Sequence, residues 1–121
     1  MIIIDDAYNS NQSGARAALE TLSMFDGAKI MVTPGMVELG EIQNEVNRQF
    51  GAEAAEVCDF VVLVGKRQTE SILEWLRNAS FPEEKIEVVE TLEQAFEAIE
   101  KIDAGGKQKV VLLENDLPDN Y

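Results

Sequence analysis

Three stretches of the sequence gather side chains able to do chemistry. Asp5-Asp6-Ala7-Tyr8-Asn9-Ser10-Asn11 brings two carboxylates, a phenol and two amides into seven residues. Helix capping, which favours Asn and Ser, explains Asn11 or Ser13. It does not explain Asp5, Asp6, Tyr8 and Asn9 together, and a carboxylate here can accept both hydroxyls of a ribose. Thr33-Pro34-Gly35-Met36-Val37-Glu38-Leu39-Gly40 is a glycine-containing loop ahead of a helical pattern. It lacks Lys and the Gly-x-x-x-x-Gly-Lys-Ser/Thr spacing, so it is not a nucleotide phosphate loop. Ordinary turn chemistry accounts for Gly35 and Gly40, and Glu38 also reads as a helix-start charge. Lys66-Arg67 is the only adjacent basic pair in the chain. In a site, Arg67 offers a fork that matches a carboxylate; in a solvated loop, the pair has no role. Both readings stand on the residues alone.

These stretches must be held by something, and the intervening pattern alternates strand and helix. Strands are expected over 1–4, 29–33, 60–64, 86–89 and 110–113, each a short apolar run. The run Phe-Val-Val-Leu-Val at 60–64 is apolar throughout, as a strand covered on both faces should be. A helix over 13–25 places Ala15, Ala18, Leu19, Leu22 and Phe25 on one face, with Gly27 taking the left-handed conformation after it. A second helix, over 41–57, turns Ile42, Val46, Phe50 and Val57 inward. A third, ending near Asn78, uses Ile72, Leu73 and Leu76, with Trp75 as packing. Thr91-Leu92-Glu93-Gln94 is a capping-box pattern, and the helix behind it buries Leu92, Ala95, Phe96 and Ile99. The expected architecture is α/β: a Rossmann-like three-layer domain with a mostly parallel sheet of five or six strands and helices on both faces. Ligands of such sheets bind beyond the carboxyl ends of the strands, here 5–13, 33–40, 65–67, 89–91 and 114–116.

Composition narrows the classes. The chain has 121 residues, 45% hydrophobic and 27% charged, which fits one soluble globular domain over 1–121. Ten Lys+Arg against 23 Asp+Glu give a net charge of −13. That excludes nucleic acid and anionic membrane surfaces as expected partners, since both need clustered cations. With no His in the sequence, His-based acid–base catalysis and His-ligated zinc are excluded, and no metal site is expected. The single cysteine, Cys58, lies in an apolar stretch and reads as a buried thiol. No apolar run reaches the ~20 residues of a membrane helix, and no signal peptide is evident. Because the sequence opens directly on a strand, a fragment of a longer protein with an added Met1 is expected. A phospho-acceptor receiver domain also has paired acids after its first strand. It would need an Asp ending the third strand and a Lys ending the fifth, where this chain has Val64-Gly65 and Leu113-Glu114.

In this order, the segments resemble the C-terminal domain of the Mur ligases, nearest the branch that adds D-alanyl-D-alanine. Ile3-Ile4-Asp5-Asp6-Ala7-Tyr8-Asn9-Ser10-Asn11 followed by Ala17-Ala18-Leu19 resembles the family's strand–loop–helix opening. Gly35-Met36-Val37-Glu38-Leu39-Gly40 resembles its second loop, and Val62-Leu63-Val64-Gly65 its third strand end. The resemblance implies one domain of a cytoplasmic bacterial ligase of peptidoglycan synthesis that uses ATP and Mg2+. A central domain, outside this chain, would hold the phosphate loop and the metal; the acyl phosphate forms there and the incoming amine attacks it. Asp6, Tyr8, Asn9 and Asn11 would contact the nucleotide. Gly35, Met36, Glu38, Lys66 and Arg67 would lie on the side of the amine, with no catalytic residue in this chain. The partners implied are a UDP-linked precursor and an amino acid or dipeptide. The chain departs from the family pattern at Gln12, where proline is usual, and at Pro34 and Gly35, where glycine and aspartate are usual. Asn47 replaces a common histidine, and Glu114-Asn115-Asp116 stands for Lys-Gly-Ser. D-alanyl-D-alanine and another amine both remain open as substrate, and a stand-alone Rossmann-like binding module without catalysis is the alternative class.

Overall fold

A computed structural model describes residues 1–6, 12–35 and 43–114. Five strands are present: β1 (Ile2–Asp6), β2 (Ala28–Thr33), β3 (Phe60–Val64), β4 (Ile86–Val89) and β5 (Lys109–Glu114). Four helices alternate with them: α1 (Gln12–Ser23), α2 (Gln43–Val57), α3 (Glu70–Asn78) and α4 (Leu92–Lys101). A short 3-10 turn, Glu83–Lys85, precedes β4. The sheet order is β1-β5-β2-β3-β4, and every pair is parallel.

The handedness of βαβ crossovers explains where the helices lie. The chain steps in one direction from β1 over β5 to β2, then to β3 and β4, and it must keep α1, α2 and α3 on one face to remain right-handed. Returning from β4 to β5 reverses the direction, so α4 must cross the other face. The packing agrees. Ala15, Leu19, Leu22, Phe50, Ile72 and Leu76 from α1–α3 join Met31, Val61, Leu63, Val110 and Leu112 in one core. Ala95 and Ile99 from α4 join Ile30, Val32, Val62, Val64 and Val111 in the other. Neighbouring strand residues therefore alternate between two buried faces, which is why β2, β3 and β5 read as unbroken apolar runs.

Most inward positions match the periodicity. Phe25 lies past the end of α1, half-buried against the first core. Ile42 lies outside the described residues. Gly27 has a positive φ of 127°, but it does not terminate the helix, which ends at Ser23. A Cβ there would stand 2.3 Å from the Gln108 carbonyl oxygen, which accepts the Ala28 N–H at 2.8 Å. Close approach of two strand starts requires this glycine. Glu114, expected just past β5, is its last residue and is fully buried. No described helix is long and apolar enough to cross a membrane.

Candidate functional site

The carboxyl ends of the strands bring together several of the residues singled out in the sequence. Asp6 closes β1 in register with Glu114 of β5. The side chain of Asp6 lies outside the described set, as do Tyr8, Asn9, Asn11, Met36 and Glu38.

At the end of β2, Thr33 is buried, and its Oγ1 accepts the Gly35 N–H at 3.0 Å, a short turn that stops the strand. Gly35 has φ 78°. A Cβ on it would lie 3.2 Å from Asn47 Oδ1, 3.2 Å from Ile72 Cδ1 and 3.4 Å from the Gln68 carbonyl oxygen. Gly35 therefore packs against α2, α3 and the loop after β3.

That second loop, 65–69, is pinned at both ends. The Gly65 N–H donates to the Val89 carbonyl at 2.7 Å, which ties it to β4. Thr69 donates its hydroxyl to the Gly65 carbonyl at 2.7 Å, and Gln68 donates its amide to the Val64 carbonyl at 3.2 Å. Lys66 and Arg67 lie between these anchors and are exposed.

β3 and β4 are neighbours whose following loops leave for opposite faces, β3 toward α3 and β4 toward α4. This is a topological switch point, where open parallel sheets form their ligand crevice. A cleft of about 790 Å³ opens here, lined by Lys66, Arg67, Glu70, Leu73, Glu74, Arg77, Asn78 and Glu90. Glu90 is fixed by the cap of α4. The Gln94 N–H donates to Thr91 Oγ1 at 3.1 Å, while Gln94 Oε1 accepts the Glu90 N–H at 2.9 Å. Sequence reasoning placed Glu90 at the edge without a role, and it missed Glu70, Glu74, Arg77 and Asn78. The helical spacing of Glu70, Glu74 and Arg77 marks the polar stripe of α3. Nothing in that spacing says that the stripe forms a cleft wall.

Cys58 takes no part in this edge. It is buried, and desolvation, reinforced by Asp59, pushes its thiol up to about 12.

The family model described as the Mur ligase, glutamate ligase domain matches residues 1–114. The UDP-N-acetylmuramoyl-tripeptide--D-alanyl-D-alanine ligase of Buchnera aphidicola is 43% identical over 53 residues, which covers 44% of this chain and 12% of that protein. The ligase of the same name from Escherichia coli is 35% identical over 68 residues, covering 54% and 15%. Among solved structures, MurF ligase from Thermotoga maritima in complex with ADP superposes with a TM-score of 0.69 at 26% identity, over 93% of this chain and 24% of that one. MurF from Acinetobacter baumannii superposes with a TM-score of 0.73 at 30% identity, with the same coverage. The chain thus spans 12% and 15% of the length of these two curated relatives and 24% of these solved chains. The family model matches 1–114 and the fold superposes over 93% of the chain on both solved ligases, so the chain belongs to the Mur ligase family as its glutamate ligase domain.

Proposed function

We propose that the chain is the C-terminal domain of an ATP-dependent amide-forming ligase of peptidoglycan precursor synthesis, one that adds D-alanyl-D-alanine or another amine to a UDP-linked precursor. The observation that carries this reading is the position of Lys66 and Arg67. They stand on a pinned loop, at the switch-point cleft, in a chain of net charge −13. An anionic substrate approaching such a chain meets an unfavourable field unless local cations offset it. Arg67 takes the carboxylate of the incoming amino acid or dipeptide with two parallel hydrogen bonds, and Lys66 adds a point charge. Holding the carboxylate end fixes the direction of the free amino group, and orientation of that kind supplies much of the rate of a two-substrate reaction. Gly35 is assigned to the same side because it abuts the 65–69 loop, and Met36 and Glu38 are assigned with it from the resemblance alone.

The nucleotide side is assigned to Asp6, Tyr8, Asn9 and Asn11. Asp6 fits this role because it ends an edge strand at the carboxyl side of the sheet, where an acid can accept ribose hydroxyls. ATP, when bound, supplies the activation of the precursor's carboxyl group. The sequence has no phosphate loop, so the triphosphate and Mg2+ are assigned to the remainder of the ligase.

The test uses the full-length protein. Phosphate release should require ATP, Mg2+, the UDP-linked precursor and the amine together. Arg67→Ala should raise KM for the amine roughly tenfold or more, the equivalent of one charge-assisted hydrogen bond of about 1.5–3 kcal/mol, and leave KM for ATP unchanged. Phosphate release that ignores the amine, or equal effects of Arg67→Ala on both substrates, would overturn the reading.

A further inference from the structure

Thr69 stands at the N-cap position of α3 and does not cap it. Its side chain makes no bond to the first turn of the helix, although a Thr at that position ordinarily accepts one of the free N–H groups. The hydroxyl turns back instead and donates to the Gly65 carbonyl at 2.7 Å. Thr69 is 1% exposed, so water does not compete for that bond. The helix forgoes its side-chain cap, and the hydroxyl serves the loop before it. Local rules of this kind are typically broken at functional sites.

What the hydroxyl holds is the backbone that carries Lys66 and Arg67. The Gly65 carbonyl belongs to the peptide unit entering Lys66, and it accepts the Thr69 N–H at 3.3 Å as well. The preceding peptide unit is held at both ends. Gln68 donates its amide to the Val64 carbonyl at 3.2 Å, and the Gly65 N–H donates to the Val89 carbonyl at 2.7 Å. Gly65, with φ 92°, makes room for the first of these, since a Cβ on it would stand 2.7 Å from Gln68 Cδ. On this held backbone, Lys66 and Arg67 are exposed and make no salt bridge with a described residue.

We infer that Thr69 is a positioning residue: it fixes the peptide unit before Lys66, so that Lys66 and Arg67 meet an anionic group of the ligand with their backbone already set. Gln68 shares the role through the peptide unit before that one. The inference rests on the ligase reading above, in which the anion is the carboxylate of the incoming amine, and adds to it the residues that aim the clamp. A loop ordered before binding loses less conformational freedom when the ligand arrives. Adjacent cations also repel, and a held backbone limits how far the loop can move to separate them.

The test is steady-state kinetics of the full-length enzyme, with D-alanyl-D-alanine and ATP varied in turn. Thr69→Val keeps the shape and removes the donor. It should raise KM for the dipeptide about fivefold and leave kcat and KM for ATP within about twofold. Thr69→Ser, which keeps the hydroxyl, should restore KM for the dipeptide to within about twofold of the unmodified enzyme. Because Thr69 acts through the clamp, adding Thr69→Val to Arg67→Ala should change KM for the dipeptide by less than about twofold. A merely structural Thr69 would not show that dependence. No effect of Thr69→Val on the dipeptide, equal effects on both substrates, or an undiminished effect beside Arg67→Ala overturns the inference. If Arg67→Ala alone still weakens the dipeptide, the ligase reading survives that failure; if it does not, clamp and inference fall together. Should Thr69→Val fail to fold, Gln68→Met removes the tie to Val64 at a half-buried position, and the same outcomes decide.

Discussion

Gly35 and Asn47 meet inside the fold: a Cβ on Gly35 would lie 3.2 Å from Asn47 Oδ1. Asn47 is 1% exposed, on the first half of α2, and Gly35 closes the turn after β2. These are two of the positions at which the resemblance read from the sequence would have an acid and an imidazole. Here two uncharged residues replace them, and they are in contact. Neighbours of this kind are where additivity of substitutions fails.

The first prediction follows from that contact. Gly35→Ala should cost about 2–4 kcal/mol, because the left-handed φ of 78° costs roughly 1–2 kcal/mol for an L-residue and the new Cβ also crowds Asn47 and Ile72. Gly105 is the control. Its φ is 62° and nothing stands within 4 Å of its Cβ position, so Gly105→Ala should show the dihedral cost alone, about 1–2 kcal/mol. Urea unfolding midpoints at unchanged slope measure both. Equal shifts would show that the contact contributes nothing.

In the full-length ligase, Asp6→Ala should lower kcat/KM for ATP roughly tenfold to a hundredfold, the loss of one charge-assisted hydrogen bond of about 1.5–3 kcal/mol. Asp5→Ala, one residue further from the carboxyl end of β1, should leave ATP kinetics within about twofold. A folded Asp6→Ala enzyme with unchanged ATP kinetics removes Asp6 from the nucleotide side.

Strand and helix positions were legible because burial on both faces forces apolar runs in β2, β3 and β5, and burial on one face forces a 3.6-residue repeat in the helices. β3 and β4 match the expected spans at both ends. Thr91 and Gln94 cap α4 as their spacing predicts, except that Gln94 reaches the N–H of Glu90, one residue earlier than a capping box would have it. Three expectations came from a resemblance or from propensity and met tertiary geometry instead. Gly27 serves a close approach of backbone, Phe25 packs beyond the helix, and Glu114 remains inside the sheet. The cleft was half legible. Lys66 and Arg67 stood out because cations are scarce, whereas Glu70 and Glu74 were two acids among 23, and only the packing of α3 beside the β4 edge gives them a cavity to face. The buried Thr69 also escaped notice, and Asn47 stood out only as a departure from the family pattern, since a single polar residue on a helix or in a loop carries no periodic signal.

Cys58 links the fold to pH. Its thiol is buried, and desolvation, helped by Asp59, raises it from 9.0 to about 12. A raised thiol value means that the folded state holds its proton more tightly than the unfolded chain does. The contribution to stability is complete below about pH 9, falls as pH rises between 9 and 12, and is gone above that range. Where this group dominates, the slope should approach 1.4 kcal/mol per pH unit. Unfolding free energies from pH 7 to 10.5 should therefore be flat at first and then decline, with the decline smaller in Cys58→Ala. Thiol reagents at pH 7.5 should label the folded chain far more slowly than the unfolded one. Rapid labelling of the folded chain, or a decline unchanged by Cys58→Ala, contradicts the assignment.

The chain on its own should neither hydrolyse ATP nor form amide bonds. Phosphoryl transfer depends on a phosphate loop and its metal, and the loop is missing from the sequence. If Asp6, Tyr8, Asn9 and Asn11 touch only the ribose side of the nucleotide, the triphosphate finds no partner here. In a chain of net charge −13, its own charge is then repelled. On the proposed ligase reading, most of the affinity comes from closure of this domain over the rest of the protein. Calorimetry should accordingly give no binding of ATP to the isolated chain tighter than roughly 10 μM, about −7 kcal/mol. A tighter constant, lost in Asp6→Asn, would place the main nucleotide affinity in this domain. Phosphate release above buffer that depends on the chain and disappears in the same variant would move part of the chemistry here as well.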